Sequence, residues 1–465
     1  MALTIMQQPL YDILPIGQQV LFTVSEPTIV ANNFRVKFIA EVYVSDTAIT
    51  WAASQLVGSF KTTPNNAGVG IFDLRSVLET FVKPDNEASS QANATYKGIP
   101  SSITNFPLHL VDEYSLSDNS IKYFAVRFRV EYFTDLTTST ITISDPTPSD
   151  EYTMFNGVLQ YDDVLEKSLY GNNYGYSLNE FYLNGFNSKF LSNAPATQYA
   201  RLTDYGTFPF LNFVPASTDN VYQIRLAYYK ADGTPAAGSE LFTNTTATGG
   251  AATAGTTSHT RINYFGGFPA NLQYSSANFV AAMANDLDYY TLEARSVSSV
   301  SKSQVYTVKI ICPNERGYEG IRLTWLNQWG TWDYYTFNMK SIKSVATNRT
   351  SYTQLGGTWN ESTFRISDYK GGKKNFRVNS TEKVKLNTDF VSEAEGLWFE
   401  ELINSNDVYI VNGFSTDVSN TITRKYIEPV VLTTSSYIRK TIANDRLMQY
   451  TIEIEKSKMK RTQAV

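Results

Sequence analysis

Alternation of apolar and polar positions is the clearest signal along the chain. Residues 34–44 (FRVKFIAEVYV) and 121–133 (IKYFAVRFRVEYF) set aromatic and β-branched side chains at roughly every second position, the period of a half-buried strand. Between them, after the turn-rich stretch TTPNNAGVG, the segment FDLRSVLETFV places Leu74, Val77, Leu78 and Phe81 on one helical face behind Asp73 as N-cap. A strand pair with a short crossover helix is therefore predicted. It ends at the turn cluster DPTPSD, residues 145–150, where two prolines break a strand ladder.

Strand patterns return at VYQIRLAYY (221–229), followed by the hairpin-favouring turn ADGT, and at VYTVKII (305–311). Residues 244–258 (NTTATGGAATAGTTS) carry no charge and no large side chain, a composition that reads as a surface loop. Near the C-terminus, Ser392-Glu393-Ala394-Glu395 has the spacing of a capping box and predicts a helix near 392–404 with Leu397, Trp398 and Leu402 on its apolar face. Asn404-Ser405-Asn406 stops it, and DVYIV, PVVLTT and MQYTIEIE follow as strands, with Pro429 suited to a strand's beginning.

These patterns predict a mainly β chain of several β-sandwich-like domains in tandem with a few short helices. A chain of 465 residues exceeds what one core can hold. The expected division is a domain at 1–150, a second at 151–314 with the loop 244–258, and a third at 315–465 with the helix near 392–404.

Composition narrows the function. Charged residues make up 18% of the chain and aromatic residues 14%, a balance that suits surfaces covered by partners. The net charge of −5 argues against a general affinity for nucleic acid. One cysteine, Cys312, excludes an internal disulfide, and with only His109 and His259 no Cys/His zinc site is expected. Residues 1–20 lack a basic n-region, and no run of about 18 apolar residues occurs. The expectation is a soluble protein made in a cytoplasm, without metal or cofactor.

Candidate chemistry is sparse. Trp325, Trp329, Trp332, Tyr334 and Tyr335 crowd into eleven residues. They could stack on sugar faces, anchor a protein interface, or fill the core of a hairpin whose turn uses Asn327, Gly330 and Asp333. The carboxylate pairs Asp162/Asp163 and Glu400/Glu401 are neighbours in sequence and diverge on either a strand or a helix, so they do not face each other across a bond. His109, in the apolar run FPLHLV, reads as a half-buried strand residue, and His259 borders the flexible loop. No catalytic residue is assigned. The basic clusters, Lys370 to Lys374 with Arg377 and Lys456, Lys458, Lys460 and Arg461 near the end, read as a solvated loop and a frayed terminus. Contact with DNA or with an acidic neighbouring subunit is the alternative.

Four segments in order resemble virion proteins of tailed bacteriophages, especially crAss-like and other phages of Bacteroidetes. They are GVGIFDLRSVLETFV; FNSKFLSNAPATQYARLTDYGTFPFLNF; GIRLTWLNQWGTWDYYTFNMKS; and SEAEGLWFEELINSNDVYIV with EPVVLTTSSYIRKTIANDRLMQYTIEIE. The resemblance implies a non-enzymatic tail, neck or baseplate component, often a ring, whose partners are copies of itself and other tail proteins. It also implies a place in the virion after synthesis in the bacterial cytoplasm. A receptor- or glycan-binding tail adhesin using residues 325–335 is the alternative.

Overall fold

Strands Phe34–Ser45 and Ile121–Phe133 pair antiparallel, and the pairing sets Phe38 opposite Val130, Ala40 opposite Phe128, Val42 opposite Val126 and Val44 opposite Phe124. All eight side chains belong to one buried cluster, so the alternation in the sequence becomes one face of a sheet. The computed structural model describes residues 3–88, 107–137, 140–161, 163–164, 168–169, 174–212, 221, 223–244, 261–311, 317–367, 369–412, 427–434, 436 and 448–460. Within these the chain is mainly β, with several sheets and five short α-helices. Among the described residues no helix is long and apolar enough to cross a membrane.

The chain divides into two compact units, one of Met1–Ile311 with Leu326–Tyr334 and one of Cys312–Trp325 with Tyr335–Val465. In the first unit, a seven-stranded sheet contains Ile13–Pro15, Tyr152–Phe155, Ile121–Phe133, Phe34–Ser45 and Leu56–Thr62 in that order, with two short edge strands on Ile121–Phe133. A three-stranded sheet of Thr4–Gln7, Leu21–Ser25 and Val69–Asp73 packs on it. Phe22 and Phe72 meet Phe128 with ring centroids 5.5 and 5.8 Å apart. This is a β-sandwich closed by aromatic contact.

A second pair of sheets lies in the same unit. One runs Thr197–Ala200, Tyr306–Ile310, Tyr289–Arg295, Gln223–Tyr229, Pro235–Thr243; the other is Phe208–Asn212, Arg261–Phe265, Tyr114–Leu116. Tyr114 links them, its hydroxyl donating to the Phe242 carbonyl at 2.7 Å and accepting from Ile224 N at 3.0 Å. Helices Pro269–Ser275 and Ala277–Met283 cover this region, with Phe279 against Tyr228 and Tyr290. Residues from both sides of position 150 share sheets here, since Tyr114–Leu116 pairs with Arg261–Phe265.

Several local expectations are corrected. Thr147 and Pro148 do not break the ladder but extend it, pairing with Phe128 and Arg127 at a sheet edge, where a proline is tolerated. The helix after Asp73 is shorter than its apolar spacing suggests. It spans Arg75–Leu78 and tightens into a 3-10 turn at Glu79–Phe81, while Asp73 ends a strand and its Oδ1 accepts from Arg75 N at 3.1 Å. The run around His109 is a 3-10 turn, Leu108–Leu110, rather than a strand. The turn at ADGT forms as predicted, with Gly233 at φ +83° and Asp232 accepting from Thr234 N.

The second unit is built on a seven-stranded sheet in the order Trp332–Phe337, Ile321–Leu326, Val408–Val411, Ile427–Leu432, Thr451–Lys456, Gly372–Asn387, Ile342–Gln354, its first strand beginning in the first unit. Pro429, expected to begin its strand, is instead the third residue of Ile427–Leu432, opposite Tyr409 in the ladder with Val408–Val411, and the ladder with Thr451–Lys456 begins only after it, at Val430. Helix Glu393–Asn404 carries the predicted capping box: Ser392 N donates to Glu395 Oε2 at 2.8 Å and Glu395 N to Ser392 Oγ at 3.3 Å. Trp398, Phe399 and Leu402 form its buried face, whereas Leu397 turns to solvent. The loop expected at 244–258 lies outside the described residues apart from Asn244.

Candidate functional site

The aromatic segment is a hairpin of Ile321–Leu326 and Trp332–Phe337. Its turn is organised by Asn327, whose Oδ1 accepts from Trp329 N at 3.0 Å and Thr331 N at 3.1 Å and whose Nδ2 donates to the Leu191 carbonyl at 3.1 Å. Gly330, at φ +71°, completes it: a Cβ there would lie 1.8 Å from the Asn156 carbonyl oxygen, so only glycine fits. Asp333 closes the turn by accepting from Ser192 Oγ at 2.6 Å and Asn327 Nδ2 at 3.1 Å. The three residues expected to make the turn therefore do so through buried hydrogen bonds.

That geometry decides between stacking platform and core. Trp325, Trp329 and Trp332 are at most 1% exposed, and Tyr334 is buried. Trp329 packs on Phe181 at 4.4 Å and donates its indole N–H to Asn193 Oδ1. Trp332 donates to the Asp85 carbonyl at 2.6 Å. In the second unit, Trp325 packs on Trp398 at 4.9 Å, and Tyr335, half-buried, packs on Phe399 at 4.8 Å. Burial, with a smaller push from the Glu395 and Asp389 charges, raises the Tyr335 phenol well above its ordinary value. A sugar or partner surface has no access to the indole faces in this fold, so Trp325, Trp329, Trp332 and Tyr334 serve as core and Tyr335 is half-buried. The hairpin's aromatic excess is explained by packing.

Two polar centres flank Trp332, and sequence reasoning missed both. His109, 1% exposed, places Nδ1 2.6 Å from the Tyr334 hydroxyl, which lies 3.0 Å from Thr207 Oγ1. The His109 ring meets Trp332 edge-on at 5.2 Å. Asp85, equally buried, accepts from Asp118 N, Asn119 N and Ser120 Oγ at 3.0, 2.7 and 2.6 Å. Burial raises the Asp85 carboxyl above its ordinary value, and these three donors oppose the rise. His109 faces a phenol, and Ser120 donates to a carboxylate, so this grouping of Ser, His and Asp does not assemble the nucleophile–base contact of a hydrolytic triad. The adjoining cleft, lined by Phe208, Tyr306 and Tyr334 among others, has room for about one water. The only sequence trace of these centres was a polar residue inside an apolar run, as in FPLHLV.

The remaining candidates scatter. Asp163 Oδ2 accepts from Gln160 N and Gln328 Nε2, a structural role, while Asp162, His259, Cys312 and Arg461 lie outside the described residues. Glu400 and Glu401 lie on helix Glu393–Asn404. Among the described residues no three His, Cys, Asp or Glu side chains cluster in a way that could hold a metal. Of the C-terminal basic residues, Lys460 and Lys456 bind Glu382 rather than fraying, with Nζ to carboxylate distances of 2.6 and 3.6 Å.

The other basic cluster corrects the expectation of a simple loop. Ile342–Gln354 and Gly372–Asn387 form an antiparallel ribbon of 13 and 16 residues, and Lys373, Lys374 and Arg377 sit in its second strand. Only residues 383–387 of that strand also pair with Thr451–Lys456. Beyond the Ser380–Lys460 bridge the ribbon pairs only with itself among the described residues, and its side chains are exposed on both faces.

No protein-family model and no curated protein matches the chain. Among solved structures it is similar to E. coli alpha-2-macroglobulin in its native conformation, with 9% identity, a TM-score of 0.19, and coverage of 82% of this chain and 21% of that one. It is similar also to a Salmonella alpha-2-macroglobulin, with 8% identity, a TM-score of 0.18 and the same coverage. The chain spans about a fifth of the length of these macroglobulins, and at these TM-scores the likeness carries no argument.

Proposed function

We propose that this chain is a non-enzymatic structural component of a bacteriophage tail, a ring, neck or baseplate subunit that acts in virion assembly by subunit–subunit contacts. The observation that carries the reading is the ribbon of the second unit, exposed on both faces and, past the Ser380–Lys460 bridge, paired only with itself among the described residues. A two-stranded ribbon is marginal in water on its own, and its free edges and exposed apolar side chains are liabilities that covering by another subunit removes. Among the described residues, those around the aromatic hairpin are absorbed into cores: the three indoles are enclosed, His109 is held by Tyr334, and Asp85 by Ser120 and two backbone amides. The four segments that resemble tailed-phage virion proteins supply the context of a tail. Reconstruction of purified phage particles tests the reading. It expects density for this chain at a fixed copy number and symmetry, and a strictly monomeric protein absent from particles overturns it.

A further inference from the structure

The ribbon ends in an ordered head rather than a slack loop. Thr358 N donates to the Arg365 carbonyl at 3.0 Å, Arg365 N to Thr358 Oγ1 at 2.8 Å, and Trp359 Nε1 to the Gly356 carbonyl at 2.6 Å. The Trp359 and Phe364 rings meet edge-on at 5.6 Å. Gly357, at φ +78°, allows the bend. On this framework Ile366 is 85% exposed, Leu355 68% and Trp359 66%. Apolar groups held in one geometry and left in water are what a binding anchor requires, because the ordering cost is met before contact.

Charge selects the occupant. Residues 342–387 hold nine Lys or Arg against three Asp or Glu, while the remainder of the chain holds thirty against forty-one. The ribbon is thus a cationic arm on a chain otherwise strongly acidic. Two arms meeting edge to edge would place like charges opposite each other, which disfavours reciprocal arm pairing. Nucleic acid would satisfy the cations and stack on Trp359 and Tyr369, yet it would leave Ile366, the most exposed apolar side chain of the head, and Leu355 in water, since aliphatic side chains do not stack on bases. An acidic protein surface satisfies both the charge and the apolar head.

We infer that the arm 342–387 docks through its head on the acidic body of a second copy of this chain. The contact is heterologous, arm to body, and therefore propagates to a third copy until it closes as a ring or continues as a filament. This deepens the structural-subunit reading and rests on it, with self-association as its separate readout. Sedimentation velocity of the full chain tests it at about 0.05 and 0.5 M salt, spanning weak and strong screening. The wild type is expected to assemble more strongly at low salt. Leu355→Ser with Ile366→Asp, and separately Lys373→Glu with Lys374→Glu, are expected to weaken assembly at least about tenfold while circular dichroism and melting temperature stay unchanged. A wild type that is monomeric throughout overturns the inference, as do folded variants that assemble like wild type. Binding of a duplex oligonucleotide that is lost in the Lys373/Lys374 variant, without any self-association, overturns it in favour of nucleic acid. If the variants assemble normally and the chain is found in particles, the arm fails and the structural reading stands. Arm-dependent assembly of a chain absent from particles gives the reverse.

Discussion

The Tyr334 hydroxyl sits 2.6 Å from His109 Nδ1, joining residues 225 positions apart in the chain. Both are buried, and the same hydroxyl lies 3.0 Å from Thr207 Oγ1. Removing one member of a buried polar network costs the desolvation of the groups it served, about 1–3 kcal/mol. Tyr334→Phe, which keeps the ring and deletes the hydroxyl, is therefore expected to lower the melting temperature measurably while circular dichroism at room temperature is unchanged. An unaltered melting temperature would show that the contact holds nothing together.

Gly330→Ala tests the hairpin turn. A left-handed conformation costs a non-glycine residue about 1–2 kcal/mol, and here the new methyl would also meet the Asn156 carbonyl at 1.8 Å. The expected loss is at least about 2 kcal/mol in chemical denaturation. Gly317, also at positive φ but with nothing within 4 Å of its Cβ position, is the control. Gly317→Ala should cost less than Gly330→Ala, and equal losses would mean that the close approach to Asn156 has no energetic weight.

Asp85 separates hydrogen bonding from charge. Asp85→Ala strips acceptors from two backbone amides and Ser120 Oγ and should cost about 3 kcal/mol or more. Asp85→Asn retains an oxygen for the amides, and the Ser120 hydroxyl can rotate to accept, so its loss should be smaller. The pH dependence gives a second readout. With its folded value raised, Asp85 binds its proton more tightly folded than unfolded, so its contribution falls as pH rises from the ordinary carboxylate range through the raised value. Asp85→Asn removes that decline, and stability curves parallel to wild type across the window would refute the assignment.

What the sequence revealed and what it concealed follow from which faces are buried. Phe34–Ser45 and Ile121–Phe133 were readable because one face of each packs on a core, which writes period two into the residues. The capping box was readable because Ser392 and Glu395 contact each other locally. The ribbon was hidden for the converse reason: with both faces in water, IKSVATNRTSYTQ carries no alternation, and its strand character comes from cross-strand pairing. His109 was misplaced, and the tryptophans were left open between core, interface and sugar contact, because burial there depends on partners such as Tyr334 and Phe181, which no local pattern announces.

Glu382 anchors the base of the ribbon, accepting from Lys460 Nζ at 2.6 Å with Lys456 Nζ 3.6 Å away. The Lys460 hydrogen bond, with the neighbouring lysine charges, holds the Glu382 carboxyl below its ordinary value, and the same bond raises the Lys460 ammonium. For Glu382 the sign is opposite to that of Asp85. Its proton is held less tightly in the folded chain, so its contribution is complete above the ordinary carboxylate range and drains away as pH falls through that range to the depressed value. For Lys460 the contribution is complete below its ordinary value and is lost as pH rises through the raised one. Glu382→Gln should therefore melt lower than wild type at neutral pH, with the difference shrinking on acidification and again at strongly alkaline pH. Melting temperatures measured across the pH range would decide it. A difference that stays constant would mean that Glu382 supports the ribbon through packing and not through its charge.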